Sequence, residues 1–346
     1  MAQEQAVLDI PGSTGVPRSL SDRPRLVRAS VQTGRFFRTK PLGGFGVIII
    51  FLCVFAAIFA DAIERYDPEV IFKQTNPLYD EELAQKALTD PTVRLQHPPA
   101  VFEKGELPIL FGGPSGDHWL GTDGLGRDLY SRIIHGSRTA LYVGLGAAII
   151  ATVSGIVVGV TSAYFGGPFD FFLQRIVDTL QAFPPLVLLL LFGQVVANPT
   201  LQWNTLSLGI LGVASGSRVV RSAVLAAREE VYVMAARTIG ATDVRVMARH
   251  IFPNITAPII VTFTSSIGIY ILVEATLAFL GLGDPTRVSW GKMIEEGRRN
   301  GTSDPWMALA VGSALTITVL GFNLAGDALR DVLDPRLRGR GGRAGF

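Results

Sequence analysis

One cysteine, Cys53, is all the chain has. A single thiol excludes an internal disulfide and any multi-cysteine metal site, and its place in an apolar run fits a packing role. Histidine is scarce too: His97, His118, His135 and His250 are scattered, and no HExxH occurs. No GxxxxGK followed by Ser or Thr is present; Gly291-Lys292 comes nearest, and Met293 follows it. A Walker-type nucleotide site is therefore excluded, and Gly121, Gly124 and Gly126 do not replace it, because no strand precedes them. Charge is thin, at 17% of 346 residues, where a soluble domain carries about a quarter. What the chain has instead is apolar residue, 48% in all, gathered in long blocks at a mean hydropathy of +0.37. That pattern predicts an all-α polytopic membrane protein.

About 20 helical residues cross about 30 Å of hydrocarbon. On that ruler the chain divides into a basic tail (1–41), a first span (42–60), a proline-rich segment (61–138), a core of five further spans (139–330) and a second basic tail (331–346). Thr179 to Ser217 is uncharged and too long for one crossing, so it is expected to split at Asn198-Pro199, with Pro184-Pro185 kinking the third span. Of the 31 Lys and Arg, 19 fall on the side of the two tails. The positive-inside rule then predicts both termini in the cytoplasm and 61–138 outside. No signal-peptide pattern is expected, since the first apolar block starts late and lacks a small-residue cleavage site. Gly155 and Gly159 form a GxxxG, which permits close helix contact.

Between two uncharged blocks lies the most cationic internal stretch, 222–254, with Arg228, Arg237, Arg245 and Arg249. Lipid does not host so many charges cheaply, so the stretch is a loop in water. It reads as helix, turn, helix. Glu229 and Glu230 suit a helix N-terminus, Gly240 an αL stop, Thr242 and Asp243 a second cap, and Pro253 the end of the second helix. Ala235 and Ala236 are small enough for another surface to come close. Charge alone leaves open a second reading, a cationic loop that meets anionic headgroups.

Ala235-Ala236, three residues, Gly240 and a basic helix closing on Phe252-Pro253 resemble the EAA loop of ABC importer permeases. Met234 stands where that motif usually has Glu, His250 at an aliphatic position and Phe252 in place of Leu. A second run, Leu120-Gly121-Thr122-Asp123-Gly124-Leu125-Gly126-Arg127-Asp128 followed by Ser131, Arg132, Gly136 and Arg138, is similar to the signature of dipeptide, oligopeptide and nickel permeases, C-type subunit. Its apolar stripe of Leu125, Leu129, Ile133 and Ile134 predicts an amphipathic helix lying at the outer interface. Glu274 to Gly283 resembles the same family.

The resemblance implies a type I ABC importer transmembrane fold with six transmembrane helices. It implies a permease subunit for peptides or a related solute, not an enzyme, with no catalytic residue and no metal ligand in this chain. Implied partners are a homologous permease subunit, two ATP-binding cassette ATPase subunits, an extracytoplasmic solute-binding protein and the lipid bilayer, with no nucleic acid. ATP and Mg would be bound by the ATPases. Ala235, Ala236, Arg237, Gly240, Asp243, Arg245 and Pro253 would form the coupling contact. Glu274, an acid inside the fifth apolar block, has two open readings: a substrate-path residue or a helix-packing hydrogen bond. A proton-coupled secondary transporter using Glu274 is the alternative function.

Overall fold

The computed structural model describes residues 40–76, 78–90, 104–196, 199–299 and 305–333. The basic tails before residue 40 and after residue 333, the proposed break at Asn198 and His97 lie outside the described residues.

Five helices are long and apolar enough to cross a membrane: α1 (Pro41–Ile58), α4 (Leu129–Phe165), α7 (Leu201–Arg228), a continuous run over Asp243–Phe279, and α12 (Trp306–Leu333). The expected third span is instead a pair, α5 (Gly167–Ala182) and α6 (Pro185–Val195), bent by 86°. Counting that pair as one crossing gives six. The bend is sharper than the kink read from the sequence. Phe183 is extended before Pro184, as a pre-proline residue prefers, and this breaks the helix outright. Asp170, Arg175 and Asp178 lie on α5. Asp178 pairs with Arg218 of α7 at 2.7 Å more closely than with Arg175 at 4.0 Å.

At about 1.5 Å per residue, the 37 residues of α4 extend about 55 Å and project well beyond the hydrocarbon. α4 and α7 pack against each other as the central pair. The glycines of the GxxxG make this possible: a Cβ at Gly159 would lie 2.6 Å from the Ser217 carbonyl oxygen, and one at Gly155 3.1 Å from Gly216. α12 packs on α1 and on α10 (Phe252–Phe279), and α10 packs back on α4. Lys40 and Asp331, 2.6 Å apart, tie α1 to α12 at one end.

Between α1 and α4 the chain makes a short helix α2 (Ala60–Ile63), strand β1 (Lys73–Thr75), helix α3 (Glu81–Thr89) and strand β2 (Glu106–Pro108). The strands pair antiparallel, with Lys73 opposite Pro108. Asp80 caps α3 by accepting from the Glu82 and Leu83 amides.

The expected interfacial helix at Leu125–Arg138 is not a separate element. Leu129 opens α4, and Ser131 and Arg132 are buried while Leu125 is exposed. The polar side chains of this segment turn inward because they meet partners there, described below; lipid would offer them none.

Candidate functional site

The stretch after α7 folds as α8 (Val231–Thr238), a turn, α9 (Asp243–Arg245), a π turn over Val246–Ile251, and then α10. Gly240 ends α8 with φ +84°, donating its amide to Arg237, while Ala241 donates to Ala236. These two bonds are a Schellman stop, which favours glycine at the αL position. Thr242 holds the second cap position without a side-chain bond, and the Asp243 carboxylate goes elsewhere, accepting from the Tyr164 hydroxyl at 2.5 Å. Pro253 does not end a helix. It sits in the first turn of α10, where its missing amide is tolerated, and the Phe252 amide reaches back to Met247.

Tyr164, in the last turn of α4, anchors the loop. Besides binding Asp243 it lies under the Arg237 guanidinium, 5.0 Å from ring centre, and Arg228 donates to the neighbouring Ala163 carbonyl at 2.9 Å. Both ends of the helix-turn-helix are thereby fixed to one span. Sequence reading missed Tyr164; its only signal is an aromatic at the end of an apolar block, ahead of Gly166-Gly167.

The two alanines differ. Ala236 is 4% exposed and packs with Val233, Val246, Ile251 and Ile255, so its small side chain serves this chain's own core. Ala235 faces out. Around it the loop presents Ile239 (86% exposed), Val231 (73%) and Val244 (71%), with Met234 also exposed. Arg245 and Arg249 make no ion pair among the described residues. An apolar ridge bordered by unpaired cations, on a helix pinned to two spans, can transmit force to the bundle if another protein grips it.

At the opposite end the second motif builds a buried charge network. Asp128 caps α4, accepting from the Ser131 amide at 2.9 Å, and faces His118 Nδ1 at 2.9 Å. Asp123 Oδ2 lies 2.8 Å from Arg127 Nε and 3.2 Å from Arg132 Nε. Glu69 receives both arginines, at 3.2 and 3.3 Å, and Glu296 lies 3.6 Å from Arg127. Ser131 Oγ accepts the Arg65 and Tyr66 amides. Gly136 leaves room for Trp290: a Cβ there would lie 2.5 Å from the indole, whose Nε1 donates to Ile133. The motif thus joins Arg65, Tyr66, Glu69 and His118 to α4 and to α11 (Trp290–Arg299).

Glu274 points at α11. It is 3% exposed and accepts from Ser289 Oγ at 2.9 Å, and that same hydroxyl accepts the Gly291 amide at 3.2 Å. The carboxylate is covered by this chain's own residues.

A family model described as "Binding-protein-dependent transport system inner membrane component" matches residues 155–339. A putative peptide transport system permease protein of Brucella suis is 41% identical over 234 residues, covering 67% of this chain and 78% of that protein. The oligopeptide transport system permease protein of Bacillus subtilis is 36% identical, covering 87% and 88%. A glutathione transport system permease protein of Escherichia coli is 33% identical, covering 88% and 90%. Among solved structures, a chain of the inward-facing MetNI methionine ABC transporter superposes with a TM-score of 0.50 at 19% identity, covering 59% of this chain and 96% of that one. This last likeness is one of fold alone.

Proposed function

Because this chain belongs to the family of binding-protein-dependent transport system inner membrane components, we propose that it is the C-type permease subunit of an ATP-driven importer of dipeptides, oligopeptides or a related solute. It is a multi-pass membrane protein with the ABC importer permease fold, and its family works with ATPase and binding-protein components. The named solutes of its relatives, peptides and glutathione, support the peptide reading. The comparisons give no support to the proton-coupled alternative.

The finer assembly is one homologous permease, two ATPase subunits that bind ATP and Mg, and an extracytoplasmic solute-binding protein; this chain itself carries out no chemical reaction. In this reading both termini are cytoplasmic, which the basic collar and tail support. Ala235, Arg237, Gly240, Asp243, Arg245 and Pro253 form the coupling helix and its frame, and Ala236 holds it to the chain's own core. ATP-driven closure of the ATPases moves α8, and Tyr164 and the continuous run into α10 pass the movement to two spans. Glu274 enters the path only in the states where α11 lifts.

The observation that carries this reading is the set of exposed apolar side chains Val231, Met234, Ile239 and Val244 on a helix-turn-helix tied to α4. Ala235→Trp tests it. ATPase copurification and solute uptake should both drop in membranes holding equal amounts of permease; full uptake with normal ATPase retention would remove the coupling assignment. Single cysteines at Asp117 and Thr242, both exposed, in a Cys53→Ala background should label from opposite sides of the membrane. Labelling from one side would break the orientation.

A further inference from the structure

We infer that Asp61, Glu64 and His135 form a binding site for a first-row divalent cation such as Zn2+, clasping the end of the first span to the second. Separated by about seventy positions in the chain, the three residues come together because α2 folds back against the second turn of α4. His135 Nε2 lies 2.6 Å from Glu64 Oε2 and 3.7 Å from Asp61 Oδ1, and the three potential ligand atoms all lie within 4.8 Å of one another. A tetrahedral ion with nitrogen and oxygen ligands at about 2.0–2.2 Å needs those atoms roughly 3.3 Å apart. The observed pairs bracket that spacing, so small side-chain rotations suffice.

The chemistry of the set is selective. One imidazole with two carboxylates suits zinc and its neighbours, whereas Ca2+ and Mg2+ prefer oxygen alone. His135 and Glu64 are largely covered, which fixes them, while Asp61 is exposed and leaves the remaining position to water. Arg138 does not block the site. Its guanidinium donates to Asp61 Oδ1 at 2.7 Å and Oδ2 at 2.9 Å, one bond to each oxygen, and a carboxylate has about four lone-pair positions. Arg138 also donates to the Ala57 carbonyl at 2.7 Å, which holds its guanidinium on the last turn of α1. With the proposed orientation the site faces outward, toward extracytoplasmic zinc.

The test uses the permease in its full complex in lipid nanodiscs, stripped with chelator and titrated with Zn2+ alone in millimolar Mg2+. One high-affinity equivalent per copy of this chain is expected, together with a zinc-dependent rise in Tm and a Co2+ d–d spectrum of low symmetry. Loss of an outer-shell partner alone costs about 10–100-fold in metal affinity, so His135→Ala and Glu64→Gln should each weaken zinc at least that much and abolish the Tm rise. Glu64→Gln keeps the size of the side chain and a hydrogen bond to His135, so a normal zinc-free Tm in that variant separates ligation from folding. His250→Ala, in the π turn before α10, should bind as the wild type does. Absence of zinc binding by the wild type, or unchanged affinity in Glu64→Gln and His135→Ala, overturns the site. None of these readouts depends on uptake, so transport and cation binding fail independently.

Discussion

Where α4 begins, Asp123, Asp128 and Arg132 are almost wholly enclosed and each has a partner inside the chain; where α7 ends, Val231, Ile239 and Val244 stand in the open with none. Cost explains the contrast. Buried charges are tolerated best when paired, and the signature end supplies its ion pairs from its own chain, although Arg65 Nη1, Arg132 Nε and Glu296 Oε2 lack a hydrogen-bond partner there. Exposed apolar side chains cost little singly, so Val231, Ile239 and Val244 can stand uncovered without partners in this chain. One end makes its ion pairs within the chain, and the other leaves apolar side chains uncovered; the proposed coupling role rests on that second end.

The largest effect should come from breaking the enclosed network. Asp123→Ala removes the fully buried carboxylate that Arg127 and Arg132 share and should lower stability by about 3–5 kcal/mol, the cost of breaking a buried ion pair from one side. Thermal unfolding of the detergent-solubilised chain reads this directly, and a small shift would mean that the network is not what joins the cap to the spans. Next comes Ala236→Trp, which overfills the cluster around Val246 and Ile251 and should cost about 1–3 kcal/mol without any ATPase present. Its companion Ala235→Trp should leave the permease alone unchanged and lose only the partner, so equal Tm losses in the two would erase the distinction between inner and outer faces. Gly240→Val forces a β-branched residue to φ +84° and should cost roughly 1–2 kcal/mol, seen as faster hydrogen exchange in α8 while spans still insert.

Tyr164→Phe should cost about 1 kcal/mol, the worth of one hydrogen bond, and should lower transport per ATP hydrolysed more than it lowers Tm. The smallest effect concerns acid. Hydrogen bonds from Arg298 and Arg299 hold Glu295 down to about 2, against an ordinary 4.5. A depressed carboxyl contributes above its unfolded value and loses that contribution as pH falls through the folded one. Exchange protection of α11 should therefore be flat above about pH 4.5 and fall only below it, and the fall should vanish in Glu295→Gln.

The spans were legible because runs of twenty apolar residues admit few alternatives. Gly240 was legible because few residues tolerate a positive φ, and the GxxxG because close helix contact requires small side chains. The direction of polar side chains was not. Arg127, Asp128, Ser131 and Arg132 are compatible with a wet face, and only the return of Glu69 and Glu296 from distant parts of the chain turns that face inward. For the same reason Ala235 and Ala236 looked alike: adjacent residues on a helix lie about 100° apart, and which one faces the core depends on Val246 and Ile251. The 86° break in the third crossing shows only when Phe183 is seen extended before two prolines.

Val246, Ile251, Ile255 and Ile259 form one buried stripe whose steps are five, four and four residues, the long first step being the π turn. That turn acts as a phase shifter on a shaft. One surplus residue, worth about 100° of rotation in an α-helix, lets the loop and the span both bury their apolar sides although their sequences are out of register. Deleting Ala248 would restore a plain helix, but the shaft would then aim either α8 or α10 the wrong way. The angle between the loop and α10 is therefore written in a single backbone irregularity, and one residue resets it.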